Sequence, residues 1–363
     1  MTTVRKGPII LGIETSCDDT ACAVLAGDGR VLSSVVSSQL EAHRPFGGVV
    51  PEIASREHLR NWPAVSSEAL ERSGVSMTEV DAVAATRGPG LMGSLLVGLS
   101  LGKALAWSRR LPFYGVHHLE GHLYSPFLAA DSAAAAPADR VPEDFVGLVV
   151  SGGHTNLFRV MRGATSTLAE TRDDAMGEVF DKIGKRLQIA YPQGPRVDEL
   201  AEQGRAGEQP FAIAACSGDG LDFSYSGLKS QALMAIERLE RAGVATDLSA
   251  GAPAPQPVLD LLAGFRASAV GQIIDRLERL FEGAALPRKL AVSGGVAANR
   301  LLRREVARWG ESNGVEVSPV PLTYSGDNAA MIAFAAVLRH RHGAADNPFE
   351  VEAASRIPLS AAR

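Results

Sequence analysis

Ile9-Ile-Leu-Gly-Ile13-Glu-Thr-Ser-Cys-Asp-Asp19-Thr-Ala-Cys-Ala-Val-Leu25 reads as an apolar strand, a polar turn and a second apolar strand. The pattern returns in Phe145-Val-Gly-Leu-Val-Val150-Ser-Gly-Gly-His154-Thr-Asn-Leu-Phe-Arg-Val160. A strand, a polar turn and a returning strand near the start of each half predict a duplicated α/β core. Strands that alternate with helical segments favour α/β over all-β.

The rest of the chain extends this reading. Asp28-Gly29 is a hairpin signal and Val31–Val36 a third strand. Helical spacing predicts helices over Pro51–Arg72, Gly93–Ser108, Asp173–Ala190, Leu259–Phe281, Ala297–Glu311 and Ala329–Arg341. Short apolar runs at Val80–Ala85, Leu111–Val116 and Lys289–Val292 read as strands. Arg87–Gly90 is a loop, and Ala129–Pro142 and Gly243–Pro257 are Ala/Pro-rich surface loops. The expected organisation is one α/β domain over 1–142 and a second over 143–324. A helix at about 325–341 can pack back on the first, and 343–363 forms a tail without clear periodicity.

Bulk properties narrow the classes. The 363 residues suffice for two ordinary domains, and 46% of them are apolar. A net charge of −5 with 21% charged residues is no polyanion-binding composition, so nucleic-acid contact requires a local basic patch or a partner. Cys17, Cys22 and Cys216 form no CxxC pair, and the odd count argues for a reducing compartment. Pro8–Ile13 is too short for a signal-peptide core and Leu95–Trp107 too short to span a bilayer. A soluble cytoplasmic protein, with no membrane contact, is the expectation.

His118 and His122 sit four positions apart, on one face of a helix, a spacing that can present two imidazoles to one divalent metal or simply pack beside a core. The zincin pattern is absent, because Leu119 rather than Glu follows His118. Asp327 either caps the last helix or completes a metal site with the two histidines. Ser151-Gly152-Gly153 and Ser293-Gly294-Gly295 end strands, where glycine lets backbone N–H groups approach an anion. The second turn opens a helix, whose N-terminus favours phosphate, and the Asn299 amide can then reach a ribose or base. Neither the P-loop nor the GxGxxG fingerprint is present. Asp173-Asp174 reads as a helix cap or solvated face. Basic residues cluster at Arg56/Arg60, Lys182/Lys185/Arg186 and Arg300/Arg303/Arg304/Arg308, by default solvated faces and alternatively polyanion contacts.

Taken together, the motifs resemble the TsaD family of tRNA N6-adenosine threonylcarbamoyltransferases. The matching segments are Gly12-Ile-Glu-Thr-Ser-Cys-Asp-Asp-Thr20, Gly47-Gly-Val-Val-Pro-Glu-Ile-Ala-Ser-Arg56, His117-His-Leu-Glu-Gly-His122 and Val150-Ser-Gly-Gly-His-Thr155. They continue with Gly177-Glu-Val-Phe-Asp-Lys182, Asp222-Phe-Ser-Tyr-Ser-Gly-Leu-Lys229, Ser293-Gly-Gly-Val-Ala-Ala-Asn-Arg300 and Asp327-Asn-Ala-Ala-Met-Ile332, in family order from about residue 9 to 340.

The resemblance implies an actin-like, Hsp70-like (ASKHA) ATPase fold, with two related α/β domains and a ligand cleft between them. It implies that His118, His122 and Asp327 bind one divalent metal ion, Fe2+ or Zn2+. It implies that Val149, Val150, Ser151, Gly152, Gly153, Asp181, Gly194, Asp198 and Asn299 line a site for adenine nucleotides and threonylcarbamoyl-AMP. The implied reaction moves a threonylcarbamoyl group to N6 of adenosine 37 in tRNAs reading ANN codons, with TsaB-like and TsaE-like protein partners. Asp18 is the candidate for orienting metal-bound water or the amine. The chain departs from the family pattern at Ser325-Gly326 and at Gln193. Metal-dependent peptide hydrolysis, for which only Glu120 is a nearby base in sequence, and a non-catalytic nucleotide-binding scaffold are the alternatives.

Overall fold

The structure, a computed structural model, describes residues 7–128, 136–213, 220–249, 253–283 and 286–359. Cys216, residues 129–135 of the first surface loop and residues 250–252 of the second lie outside the described residues. The chain divides into two compact units, Met1–Pro142 with Val320–Ser360, and Glu143–Pro319.

The first unit is built on β1 (Ile9–Glu14), β2 (Asp19–Ala26), β3 (Val31–Ser38), β4 (Ala82–Gly88) and β5 (Phe113–His117). Their order in the sheet is β3-β2-β1-β4-β5, antiparallel across the first three and parallel from β1 to β5. Four helices belong to its N-terminal part: α1 (Leu40–His43), α2 (Pro51–Ser73), α3 (Met92–Arg109) and α4 (His118–Tyr124). The C-terminal helix, Ala329–Arg341, also packs on this sheet. Every residue of β1 is buried, because successive side chains leave a strand on opposite faces and both faces are covered. Ile13 points to Gly102 of α3, while a methyl at Gly12 would sit 2.5 Å from the Ala329 carbonyl oxygen of the C-terminal helix. Glycine at position 12 therefore sets how closely that helix can lie on the strand.

After Gly343 the chain forms a strap along β5, although no periodicity marks it. Asp346 N–H donates to the Phe113 carbonyl and the Asp346 carboxylate accepts from Gly115 N–H, each at 2.8 Å. Ala354 N–H donates to the Arg87 carbonyl at 2.9 Å, and His117 Nε2–H donates to the Ile357 carbonyl at 3.0 Å.

The second unit repeats the plan. Its strands are β6 (Asp144–Val150), β7 (Thr155–Met161), β8 (Ala164–Ala169), β9 (Lys289–Ser293) and β10 (Glu316–Pro319), in the order β8-β7-β6-β9-β10. The antiparallel and parallel pairings correspond one for one with those of the first unit. Helices α5 (Met176–Arg186), α6 (Gln193–Ala201), α7 (Ser226–Arg241), α8 (Gln256–Gly283) and α9 (Arg300–Asn313) complete it. Among the described residues, Gln256–Glu282 alone is long and apolar enough to cross a membrane, and 78% of its apolar window is buried inside the protein.

Two predicted helices begin later than their spacing suggested. The helix expected over Asp173–Ala190 starts at Met176, because Asp173 and Asp174 are engaged elsewhere. Asp173 accepts from Tyr225 N–H at 2.8 Å and from the Ser224 and Ser226 hydroxyls, while Asp174 pairs with Lys182 and Lys229. Asp173 thus anchors the start of α7 rather than capping its own helix. The helix expected from Ala297 starts at Arg300, after a short 3-10 turn at Gly295–Ala298.

Candidate functional site

The polar turn between β1 and β2 and the start of α4 build the first site. His117 ends β5, and its Nδ1 accepts from Leu119 N–H at 3.1 Å, which caps α4. One helical turn then aligns His118 and His122, whose rings meet edge to face with centroids 4.7 Å apart. Asn328 Oδ1 accepts from Met331 N–H at 2.9 Å, so Asn328, not Asp327, caps the C-terminal helix. Its Nδ2 donates to the Gly326 carbonyl at 2.8 Å and wraps the departing Ser325-Gly326 backbone. Asp327 is left facing the histidines: its Oδ1 lies 3.1 Å from His122 Nε2 and 3.5 Å from His118 Nε2.

These three residues form a group whose ligand atoms lie within 4.8 Å of one another. Ligands about 2.1 Å from a tetrahedral ion stand about 3.4 Å apart, close to the spacings seen here. Two imidazole nitrogens and a carboxylate are a donor set suited to a first-row divalent metal. The electrostatics agree. Burial works against a charge on His118, but Asp327 and Glu14 outweigh it and lift the group to about 9. A site that lacks positive charge draws a proton onto a fully enclosed ring; a metal ion satisfies the same need. His122 Nδ1 is buried with no hydrogen-bond partner among the described residues.

Glu14 is the residue that sequence reasoning missed. It is fully buried, and its Oε2 accepts from Thr86 Oγ1 at 2.6 Å and lies 3.2 Å from His118 Nδ1. Its Oε1 accepts from Ser16 N–H. Burial opposes its charge, yet the His118 charge and hydrogen bond hold its carboxyl below the usual range. Such a carboxylate behind a ligating imidazole fixes the tautomer and ring orientation. The available signal was a charged residue closing an apolar strand. Asp18 lies in the same turn, its carbonyl accepting from Gln39 N–H at 3.0 Å, and is not part of the His118–His122–Asp327 group. Asp19 is pushed up to about 7 by burial and by the nearby Asp327 and Asp18 charges.

The expected nucleotide residues all lie in the second unit. Val149 and Val150 are fully buried at the end of β6, so only their backbone can meet a ligand. Ser151 N–H donates to the His154 carbonyl at 2.8 Å and closes the turn. Gly152 and Gly153 are exposed, and a methyl on either would meet no atom within 4 Å. Packing therefore does not demand glycine there, whereas close approach of a ligand would. Asp181 Oδ1 accepts from Gly194 N–H at 2.8 Å and joins α5 to the start of α6. The Gln193 side chain is buried against Gly184 of α5. Asn299 Oδ1 accepts from Leu302 N–H at 2.9 Å and caps α9, and its Nδ2 donates to Asp198 Oδ1 at 2.7 Å. The Asn299 amide thus has one N–H left for a ligand.

The basic clusters are largely self-neutralised. Lys182 pairs with Asp174 and Glu178 at 2.6 and 2.7 Å, and Arg186 with Glu240 at 2.7 Å. Arg60 pairs with Glu57, and Arg304 and Arg308 with Glu305. Lys185 and Arg56 are exposed.

Two α/β units with one strand order, each opening on a strand–turn–strand hairpin, define a protein of the actin-like ATPase fold. The HypF structure of T. kodakarensis matches 93% of this chain and 48% of its own, with a TM-score of 0.59 at 15% identity. Full-length HypF in a phosphate- and nucleotide-bound form matches 94% of this chain and 56% of its own, with a TM-score of 0.58 at 14% identity. Sequence gives the particular family. The model of TsaD, tRNA N6-adenosine threonylcarbamoyltransferase, matches residues 30–334, and the chain belongs to that family. The enzyme of that name from Thermus thermophilus is 42% identical over 97% of this chain and 99% of its own. The Geobacter sulfurreducens enzyme is 43% identical over 90% of both chains.

Proposed function

We propose that this chain transfers a threonylcarbamoyl group from threonylcarbamoyl-AMP to N6 of adenosine 37 in tRNAs reading ANN codons. The observation that carries the reading is near-full-length identity to enzymes named for this transfer, in a chain that brings His118, His122 and Asp327 together. In the reaction, adenosine N6 attacks the carbamoyl carbon, the bond to the phosphate oxygen breaks, AMP leaves and N6 loses a proton. AMP is a good leaving group, so a strong general acid is not required. The weak nucleophile sets the barrier, and a bound divalent ion, Fe2+ or Zn2+, supplies Lewis-acid polarisation of the carbonyl.

His118, His122 and Asp327 hold that ion, and Glu14 orients the His118 ring. Gly152 and Gly153 present open backbone to the phosphate of the adenylate, aligning the acyl carbon. Asp18 orients the amine or a water beside the first turn. TsaB-like and TsaE-like proteins are the proposed partners, and the cytoplasm, where tRNA resides, is the proposed compartment.

The peptidase alternative lacks a base in the right place. Glu14, a carboxylate beside the group, lies at the Nδ1 edge of His118, away from the Nε2 edge that faces Asp327. Its oxygens are occupied by Thr86, Ser16 and His118. Glu120 is influenced chiefly by its burial and by Arg339. The deciding experiment is a transfer assay with tRNA and threonylcarbamoyl-AMP, with and without the two partners. Absence of N6-modified adenosine under all these conditions refutes the proposal.

A further inference from the structure

Arg266 is an arginine only 5% exposed, on α8 of the second unit, in a stretch otherwise made of Leu, Ala, Phe and Val. A buried guanidinium is costly unless its donors are met. The partners of Arg266 cluster on one segment. Its NH1 donates to the Asp198 carboxylate at 3.0 Å and to the Asp198 carbonyl at 3.1 Å, and it pairs with Glu202. Its NH2 donates to the Ala201 carbonyl at 3.3 Å. The cation thus sits at the C-terminus of α6, where unpaired carbonyls and the helix dipole favour positive charge.

Asp198 passes this constraint on. The oxygen that accepts from Arg266 also accepts from Asn299 Nδ2 at 2.7 Å, and the other oxygen lies 3.3 Å from Arg300 N–H. Asn299 in turn caps α9 through Oδ1. One buried cation therefore fixes the Asp198 carboxylate, and through it the amide plane of Asn299. Loss of Arg266 frees Asp198 to rotate and removes the anchor that points the remaining Asn299 N–H.

We infer that Arg266 is a positioning residue for adenine-nucleotide binding, acting through Asp198 on Asn299. This rests on the reading of Asp198 and Asn299 as nucleotide-site residues. A salt bridge that merely ties α6 to α8 would support the fold but would carry no energetic coupling to ligand through Asp198.

The test is AMP binding by calorimetry on the full chain, for wild type, Arg266→Met, Arg266→Lys, Asp198→Asn and the Arg266→Met/Asp198→Asn pair. Thermal melts select the variants that remain folded. Expected is a loss of about tenfold or more in AMP affinity for Arg266→Met, equivalent to about 1.4 kcal/mol. Partial recovery is expected in Arg266→Lys, which keeps the charge but not the two-headed donor geometry. The double variant is expected to bind no more weakly than Asp198→Asn alone, because the two residues act as one unit. Wild-type affinity in folded Arg266→Met, or additive losses in the double variant, overturns the inference. If Arg266→Met does not fold, wild-type affinity in Arg266→Lys overturns it in the same way. Failure of the wild type itself to bind AMP overturns the nucleotide reading and this inference together, and so is distinguishable from failure of Arg266 alone.

Discussion

His118 Nδ1 lies 3.2 Å from the Glu14 carboxylate, a buried pair that joins the end of the first strand to the start of a helix 104 residues later. The opposite edge of the same ring faces Asp327, so the imidazole is held from both sides. Glu14→Gln removes the charge that orients the ring while keeping its shape. Metal affinity is expected to fall by about 10- to 100-fold, measured by competition with a chromogenic chelator, with the thermal melt still cooperative. Unchanged affinity would show that Glu14 serves only to hold the first turn.

His122→Ala removes one of the three donors. Elemental analysis should find metal content well below one ion per chain. The fold is expected to survive, because α4 remains capped by His117 and packed on the C-terminal helix. Full occupancy in this variant would move the metal elsewhere.

Gly153→Val tests the open turn. No atom lies within 4 Å of the added Cβ position, so stability should change by less than about 1 kcal/mol, the usual range for substitutions on an exposed surface. AMP affinity should nevertheless fall sharply, because the side chain occupies the space of the approaching phosphate. Calorimetry that shows intact affinity would reject the cradle.

Arg186 is paired with Glu240, so a charge reversal there would disturb the fold as well as any tRNA contact. Lys185→Glu is the cleaner probe, since Lys185 is exposed and holds no ion pair among the described residues. If this face meets tRNA, affinity should drop and the salt slope should flatten by about one counterion. Equal affinity and slope in filter-binding titrations would leave Lys185 on a solvated face.

His58 lies beneath the first turn, 3.0 Å from the Cys17 carbonyl through Nε2 and 2.8 Å from Thr20 Oγ1 through Nδ1. Burial holds it below its ordinary value, outweighing the Cys17 carbonyl that favours its charged form. Its folded pKa lies below that of the unfolded chain, about 6.5. Its contribution to stability is therefore present above that pH and is lost as pH falls towards the folded value. Denaturant melts between pH 8 and 5 should show a steeper decline for wild type than for His58→Gln. Parallel profiles would mean that the network does not depend on neutral His58.

The elements that sequence made legible are those whose side chains meet a single layer. Pro51–Ser73 opens with Pro at its first position and closes on Gly74 at a positive φ of 65°, and its predicted span ended one residue short. The C-terminal helix begins and ends where the apolar run does, Ala329–Arg341. Helices α6 and α7 were not read, because the groups that start them lie far away in sequence: Asp181 receives Gly194 N–H, and Asp173 receives Tyr225 N–H. The short β8 and β10 were missed for a similar reason, since their pairing with β7 and β9 rather than their own pattern defines them. At the sites, residue types and motif order disclosed His118, His122 and Asp327, while Glu14 and Arg266 stayed hidden. Buried charge that is satisfied by distant partners leaves no periodic trace.

Asp327 follows His122 by 205 positions, and the helix that covers Gly12 is made from the same late stretch of chain. On a ribosome working at about 5 to 20 residues per second, roughly 10 to 40 s separate the two. Throughout that interval the nascent first unit carries two imidazoles without their carboxylate and one bare face of its sheet. Metal loading is therefore a post-synthetic event, and a transcript truncated before codon 320 would yield a polypeptide that needs a chaperone rather than one that merely lacks activity.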